Sequence, residues 1–86
     1  MQKLYIVYDK VAETIVGNII QCPNDAPAIR LFHDALKGET QLSLHPADYE
    51  LVLIGSILET GFMEATIPTS VATGAQWEVS NATPQS

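Results

Sequence analysis

The sequence predicts an α+β fold: a small ββαββ domain with a mainly antiparallel four-stranded sheet and one helix on one face. Three observations carry this. Two runs rich in β-branched and aromatic residues, 3–9 and 14–21, are separated by a short polar link. A single apolar stripe at helical spacing, from Ala28 to Leu36, starts after a capping sequence and stops at Lys37-Gly38. Two more apolar runs flank Glu59-Thr60-Gly61, a hairpin signal.

Residues 3–9 read as the first strand, with Leu4, Ile6 and Tyr8 on one face and Tyr5 and Val7 on the other. Asp9-Lys10 opens a polar turn, and 14–21 form an antiparallel second strand. Gly17 marks a bulge or a close backbone contact. Cys22-Pro23 ends this unit. Asn24 or Asp25 caps the helix, and Asp25 also suits the positive end of the helix dipole. Pro27 is acceptable in a first turn, which needs no intrahelical N–H. Ala28, Ile29, Phe32, Ala35 and Leu36 form the buried stripe, and Lys37 then Gly38, a residue that tolerates the left-handed conformation, end the helix.

Residues 39–44 read as a polar connector, and 45–48 as a turn or one short helical turn, because Pro46 pushes His45 out of the α region. A third strand runs over 49–58 and is apolar on both faces, which predicts a central position. A fourth strand, 62–67, stops at Pro68. Residues 69–74 read as loop and 75–79 as a short edge strand. The domain spans 1–80, and 81–86 is a polar tail.

One helix shields one face of a four-stranded sheet, so a second apolar face is left over. Symmetric dimerisation through Tyr5, Val7, Val52 and Ile54 is the expected cover. The rival is a chain segment, 69–79, folded back over that face with Val71 and Trp77 as plugs.

Composition narrows function by exclusion. The 86 residues carry ten acids, four bases and a net charge of −6. Binding nucleic acid by phosphate neutralisation needs clustered Lys and Arg, which Lys3, Lys10, Arg30 and Lys37 do not supply in sequence. The one cysteine cannot form an internal disulfide. No secretory signal or membrane span is expected, since no apolar run approaches the roughly 18 residues required.

Catalytic motifs are not found. His33 reads as part of a solvated helix face and His45 as a turn residue. Cys22 has no CxxC partner and reads as a small buried apolar residue; a thiolate paired with His33 or His45 is the weaker reading. No set of His, Cys, Asp or Glu has metal spacing, and no phosphate loop is present, so neither metal nor cofactor is expected. Tyr5 or Tyr8 on an exposed sheet face would suit base stacking, but the basic funnel that accompanies it is missing. The expectation is a protein that is not an enzyme.

Three segments resemble one family. The opening Lys-Leu-Tyr-Ile-Val-Tyr-Asp-Lys-Val-Ala-Glu is similar to the start of the small nonstructural protein of gokushovirus-type microviruses, which are single-stranded DNA phages. Ala28-Ile29-Arg30-Leu31-Phe32 resembles that family's Ala-Ile-Arg-x-Phe core. His45-Pro46-Ala47-Asp48-Tyr49-Glu50-Leu51, then Ile54-Gly55, resembles its Pro-x-Asp-Tyr/Phe-x-Leu…Leu-Gly segment, and Thr60-Gly61 its turn. The matches run in family order over most of 1–67. The resemblance implies a non-capsid protein of the host cell cytoplasm, acting in viral DNA replication or in the switch to single-stranded synthesis and packaging.

Acidity and spare apolar surface favour docking on a basic protein. The expected partner is the phage replication initiator or a host replication protein. The expected contact residues are Arg30, Leu31, Asp34 and Lys37 on the helix, with His45, Asp48 and Tyr49 beside it. The alternative is a dimer that binds single-stranded DNA and gathers Lys3, Lys10 and Arg30 on one face.

Overall fold

A computed structural model describes residues 1–38 and 41–81. Strands β1 (Gln2–Asp9) and β2 (Thr14–Cys22) form a hairpin, followed by helix α1 (Asp25–Lys37). A single helical turn, α2 (Gln41–Leu44), and a 3-10 turn at Pro46–Asp48 lead into β3 (Tyr49–Ile57), β4 (Met63–Thr73) and a last helix, α3 (Gly74–Asn81). The sheet is antiparallel throughout, in the order β2-β1-β3-β4. The predicted α+β class and strand–strand–helix–strand–strand order are what the structure has, and β3 is central as its two-sided apolarity requires.

Local chemistry explains most of the element ends. Asp9 turns the chain after β1: its Oδ1 accepts from Val11 N at 2.9 Å and Ala12 N at 3.0 Å. Asn24 is the cap of α1, its side chain accepting from Ala26 N at 3.2 Å, which frees Asp25 for other partners. The helix closes with Gly38 N donating to Asp34 O at 3.1 Å. Gly38 ends the helix as expected, with φ −74° in an extended conformation, without using the left-handed freedom a glycine has. At the β3–β4 turn, Gly61 does take a left-handed φ of 93°, and its N–H donates to Leu58 O.

The core lies between the sheet and its helices. Ala28, Phe32 and Leu36, four residues apart on α1, are buried against Tyr5 and Val7 of β1 and Leu51 of β3. Cys22, Leu42, Tyr49 and Ala72 complete this cluster, and Trp77 of α3 packs at its margin. Cys22 is thus the buried apolar residue it was expected to be.

Four expectations are corrected. The fourth strand does not stop at Pro68; β4 continues to Thr73, so 69–73 is strand and not loop. A proline is tolerated because β4 is an edge strand and Pro68 falls in a bulge: Leu53 faces Thr69 and Gly55 faces Ala65, leaving Thr66, Ile67 and Pro68 opposite Ile54 alone. Residues 75–79 are helix and not an edge strand. Thr73 Oγ1 accepts from Gln76 N at 3.1 Å, an N-cap contact within a Thr-x-x-Gln sequence. The connector contains the helical turn α2, while Glu39 and Thr40 lie outside the described residues. Val71 and Trp77 pack on the helix-side core, so segment 69–79 does not plug the second face. Of the expected tail, Asn81 ends α3 and 82–86 lie outside the described residues.

The start of α3 is held by contact. A Cβ added at Gly74 would collide with the Pro46 carbonyl, so only glycine lets α3 seat on that turn. Gly74→Ala is expected to destabilise the fold by about 1–3 kcal/mol through overpacking. The urea midpoint should fall with an unchanged m value. Glu78→Ala, at an exposed site on the same helix, should shift stability by less than about 0.5 kcal/mol. An equal effect of the two substitutions would remove this account.

Candidate functional site

The structure distributes the expected contact residues over separate surfaces. Arg30, Leu31 and Asp34 are exposed on the outer side of α1, with Leu31 at 52%. Lys37 lines a cleft of about 410 Å³ between α1 and α3, together with Ile29, His33 and Trp77. His45 is exposed and Asp48 half-buried, on a segment that packs chiefly against α3 and is tied to the first turn by Lys10 N donating to Asp48 O at 2.8 Å. Tyr49 is not a surface residue: it is 4% exposed, within the core. Burial, then the negative charges of Asp9 and Asp48, raise its phenol pKa above the usual tyrosine value.

The four expected interface residues also divide. Tyr5 and Val7 are inside the protomer beneath α1, so they cannot line a second apolar face. Val52 and Ile54 lie on the open side, where β1 contributes Leu4, Ile6 and Tyr8 instead. The reason is pleat parity: adjacent residues on a strand face opposite sides, and α1 took the Tyr5 side.

That choice is tied to a polar contact. Tyr5 is fully buried, yet its hydroxyl donates to Asp25 Oδ1 at 2.5 Å, at the first turn of α1. Lys3 Nζ stands 3.7 Å from the same oxygen. Burial, followed by the hydrogen bond to Asp25 and its negative charge, raises the Tyr5 pKa well above its ordinary value. The cluster is a clamp between β1 and α1; a phenol so hard to ionise is a poor base at neutral pH.

The cations do not converge. Lys3 is engaged with Asp25 at the start of β1, and Lys10 lies just past its other end. At about 3.3 Å per residue the two are separated by roughly 23 Å. Arg30 and Lys37 are on α1. Among the described residues, no group of three or more His, Cys, Asp or Glu stands close enough to hold a metal ion.

The open face is a trough. One hollow of about 350 Å³ draws on all four strands: Ile15 of β2, Ile6 and Tyr8 of β1, Val52 and Ile54 of β3, and Pro68 of β4. A second, of about 230 Å³, continues it along Leu4, Ile54 and Met63. Leu4, Ile6 and Val52 are only 6%, 7% and 6% exposed although the helices pack on the other side. The curvature has a visible origin. Both edge strands bulge at mid-length: Gly17, Asn18 and Ile19 stand opposite Ile6, as Thr66 to Pro68 stand opposite Ile54. Bulges bend and twist the strand that carries them. The Glu50 carboxylate belongs to this face, in the first hollow; Glu64 borders the second through its backbone, since Met63 and Ala65 on either side of it face the open side. This concave face was only half legible beforehand: the apolar alternation was visible, but the bulges that shape it were signalled only by Gly17 and Pro68.

A family model described as Phage ORF5 protein matches residues 2–77. The matched span takes in both hairpins, all of α1 and α3 as far as Trp77. No curated protein and no solved structure matches the chain.

The Tyr5 clamp has a pH signature. Below pH 10.0, the ordinary tyrosine pKa, Tyr5 and Tyr49 are protonated whether the chain is folded or unfolded, and their contribution is fully present. Above it the unfolded chain ionises first, so stability falls as pH rises. These two tyrosines therefore contribute no pH dependence through neutral pH, and urea midpoints should drop above pH 10.0. Tyr5→Phe should lower stability at pH 7 by about 1–2 kcal/mol and make the alkaline drop shallower. An unchanged alkaline drop in Tyr5→Phe would show that Tyr5 is not its source.

Proposed function

The chain belongs to the Phage ORF5 protein family, and from that premise we propose that it is a nonstructural regulatory protein of a gokushovirus-type microvirus. It acts in the host cytoplasm by binding and not by catalysis. Its role lies in viral DNA replication or in the switch to single-stranded synthesis and packaging, through contact with the phage replication initiator or a host replication protein. The observation that carries the choice of protein over DNA is the charge layout. A chain of net charge −6 separates Lys3 from Lys10 along β1 and engages Lys3 with Asp25. Phosphate recognition needs the opposite arrangement, cations gathered along one groove. A negative surface with an apolar trough instead attracts a basic protein partner over distance and gives it apolar area to bury.

Two measurements test the reading. A tagged copy crosslinked in infected cells is expected to carry a replication protein with it. Recovery of no phage or host replication protein would sink the proposal. In parallel, a gel-shift titration with single-stranded DNA is expected to show no complex even at low ionic strength. A complex whose log affinity falls linearly with log salt, with a slope of about −0.7 per phosphate neutralised, would replace this reading with direct DNA binding.

A further inference from the structure

We propose that the trough on the open face is the docking site, and that its occupant is one amphipathic helix of the basic partner, apolar residues inward and Lys or Arg along its flanks. The inference rests on the reading above, that the chain acts by binding a basic protein, and it adds where and in what form.

Shape selects a helix. Three strand spacings of about 4.8 Å put the axes of β2 and β4 about 14 Å apart. A helix with its side chains is about 10–12 Å across, so one fits between the raised edges. Ile6, Val52 and Ile54 form the floor, and Ile15 and Pro68 stand at opposite sides. An added strand is disfavoured, because both free edges of the sheet are interrupted by bulges and β4 also by Pro68, which has no N–H to offer.

Charge selects the sign. Glu50 lines the hollow beside Tyr8, its partner across the β1–β3 ladder, and no Lys or Arg lines either hollow. Ser70 Oγ donates to Glu50 Oε2 at 3.4 Å, which leaves that carboxylate with acceptor capacity for a cation. A second copy of this chain meets both obstacles at once. It would add a second Glu50 and, from its hollows, no Lys or Arg to the contact, and it would set one concave face against another. A cationic helix removes both.

The experiment is an amide-resolved NMR titration of the full chain with a synthetic amphipathic Leu/Lys helix, and with a Leu/Glu helix of the same pattern. The Leu/Lys helix is expected to shift Ile6, Tyr8, Val52 and Ile54, and the Leu/Glu helix is expected not to. Glu50→Lys and Ile54→Asp should each weaken binding by about tenfold or more. Should Ile54→Asp unfold, Ile15→Asp at the 52% exposed rim takes its place. Shifts confined to α1 or to the Trp77 cleft, equal binding of both peptides, or binding indifferent to Glu50→Lys would overturn the site. So would open-face shifts that depend on protein concentration alone, with sedimentation as a dimer, since the occupant would then be a second copy. Capture in infected cells separates this failure from that of the function. If Ile54→Asp still captures the replication protein, the site is wrong and the function stands. If the unaltered chain captures none, the function fails whatever the peptide does.

Discussion

Two adjacent central strands carry apolar side chains on both sides, while the chain packs its helices on only one. Everything else in the fold answers that constraint. On one side Ala28, Phe32 and Leu36 close over Tyr5, Val7 and Leu51. On the other no element among the described residues arrives, and the sheet shelters its own residues by bending. Leu4, Ile6 and Val52 are nearly buried there by their neighbours within the sheet. An apolar surface that would otherwise be flat and fully wetted becomes a hollow with a protected floor and exposed rims. Burial at about 25 cal/mol per Å² rewards that curvature even before any partner is bound.

Both sides are linked through β1. Its residues alternate between the core under α1 and the floor of the trough, so neither surface can be altered alone. Tyr5 shows how the choice of side is held. A bulky phenol fills the core, and its hydroxyl reaches the carboxylate at the start of α1. The buried polar atom has its partner, and the helix start is positioned against one face of one strand. Had the pleat been offset by one residue, Ile6 would lie under α1 with no group to meet Asp25.

The parts legible in sequence are those set by near neighbours in the chain. The strands at 3–9 and 14–21, the stripe on α1, its Asn24 cap and the Gly61 turn all follow from contacts a few residues apart. Tertiary position decided the rest. Pro68 reads as a stop until β4 is known to be an edge, where a missing N–H faces no partner. The alternation of Ala75, Trp77 and Val79 reads as strand, although Thr73-Gly74-Ala75-Gln76 carries a capping sequence that pointed to helix. Tyr49 looked available for a partner because it sits beside a turn, yet β3 turns it into the core. For the open face, Val52 and Ile54 were identifiable but Tyr5 and Val7 were not separable from Leu4 and Ile6, since both sets are apolar. Only the placement of α1 distinguishes them.

The strand order also has a kinetic side. β1 and β2 are neighbours in sequence, as are β3 and β4, and each pair closes through a short turn. The ladder that joins them, β1 against β3, runs between Gln2 and Ile57 at one end and Asp9 and Tyr49 at the other. The contact at the centre of the sheet is therefore the one with the greatest separation along the chain. Its loop-closure entropy must be met before its apolar pairs contribute, and non-local pairing of this kind slows folding. During synthesis, β1 leaves the ribosome well before β3 exists to cover its inner edge. Until then a nascent chain presents the inner edge of β1 unpaired, and residues 1–22, with Lys3 and Lys10 against Asp9 and Glu13, have no net charge to guard it.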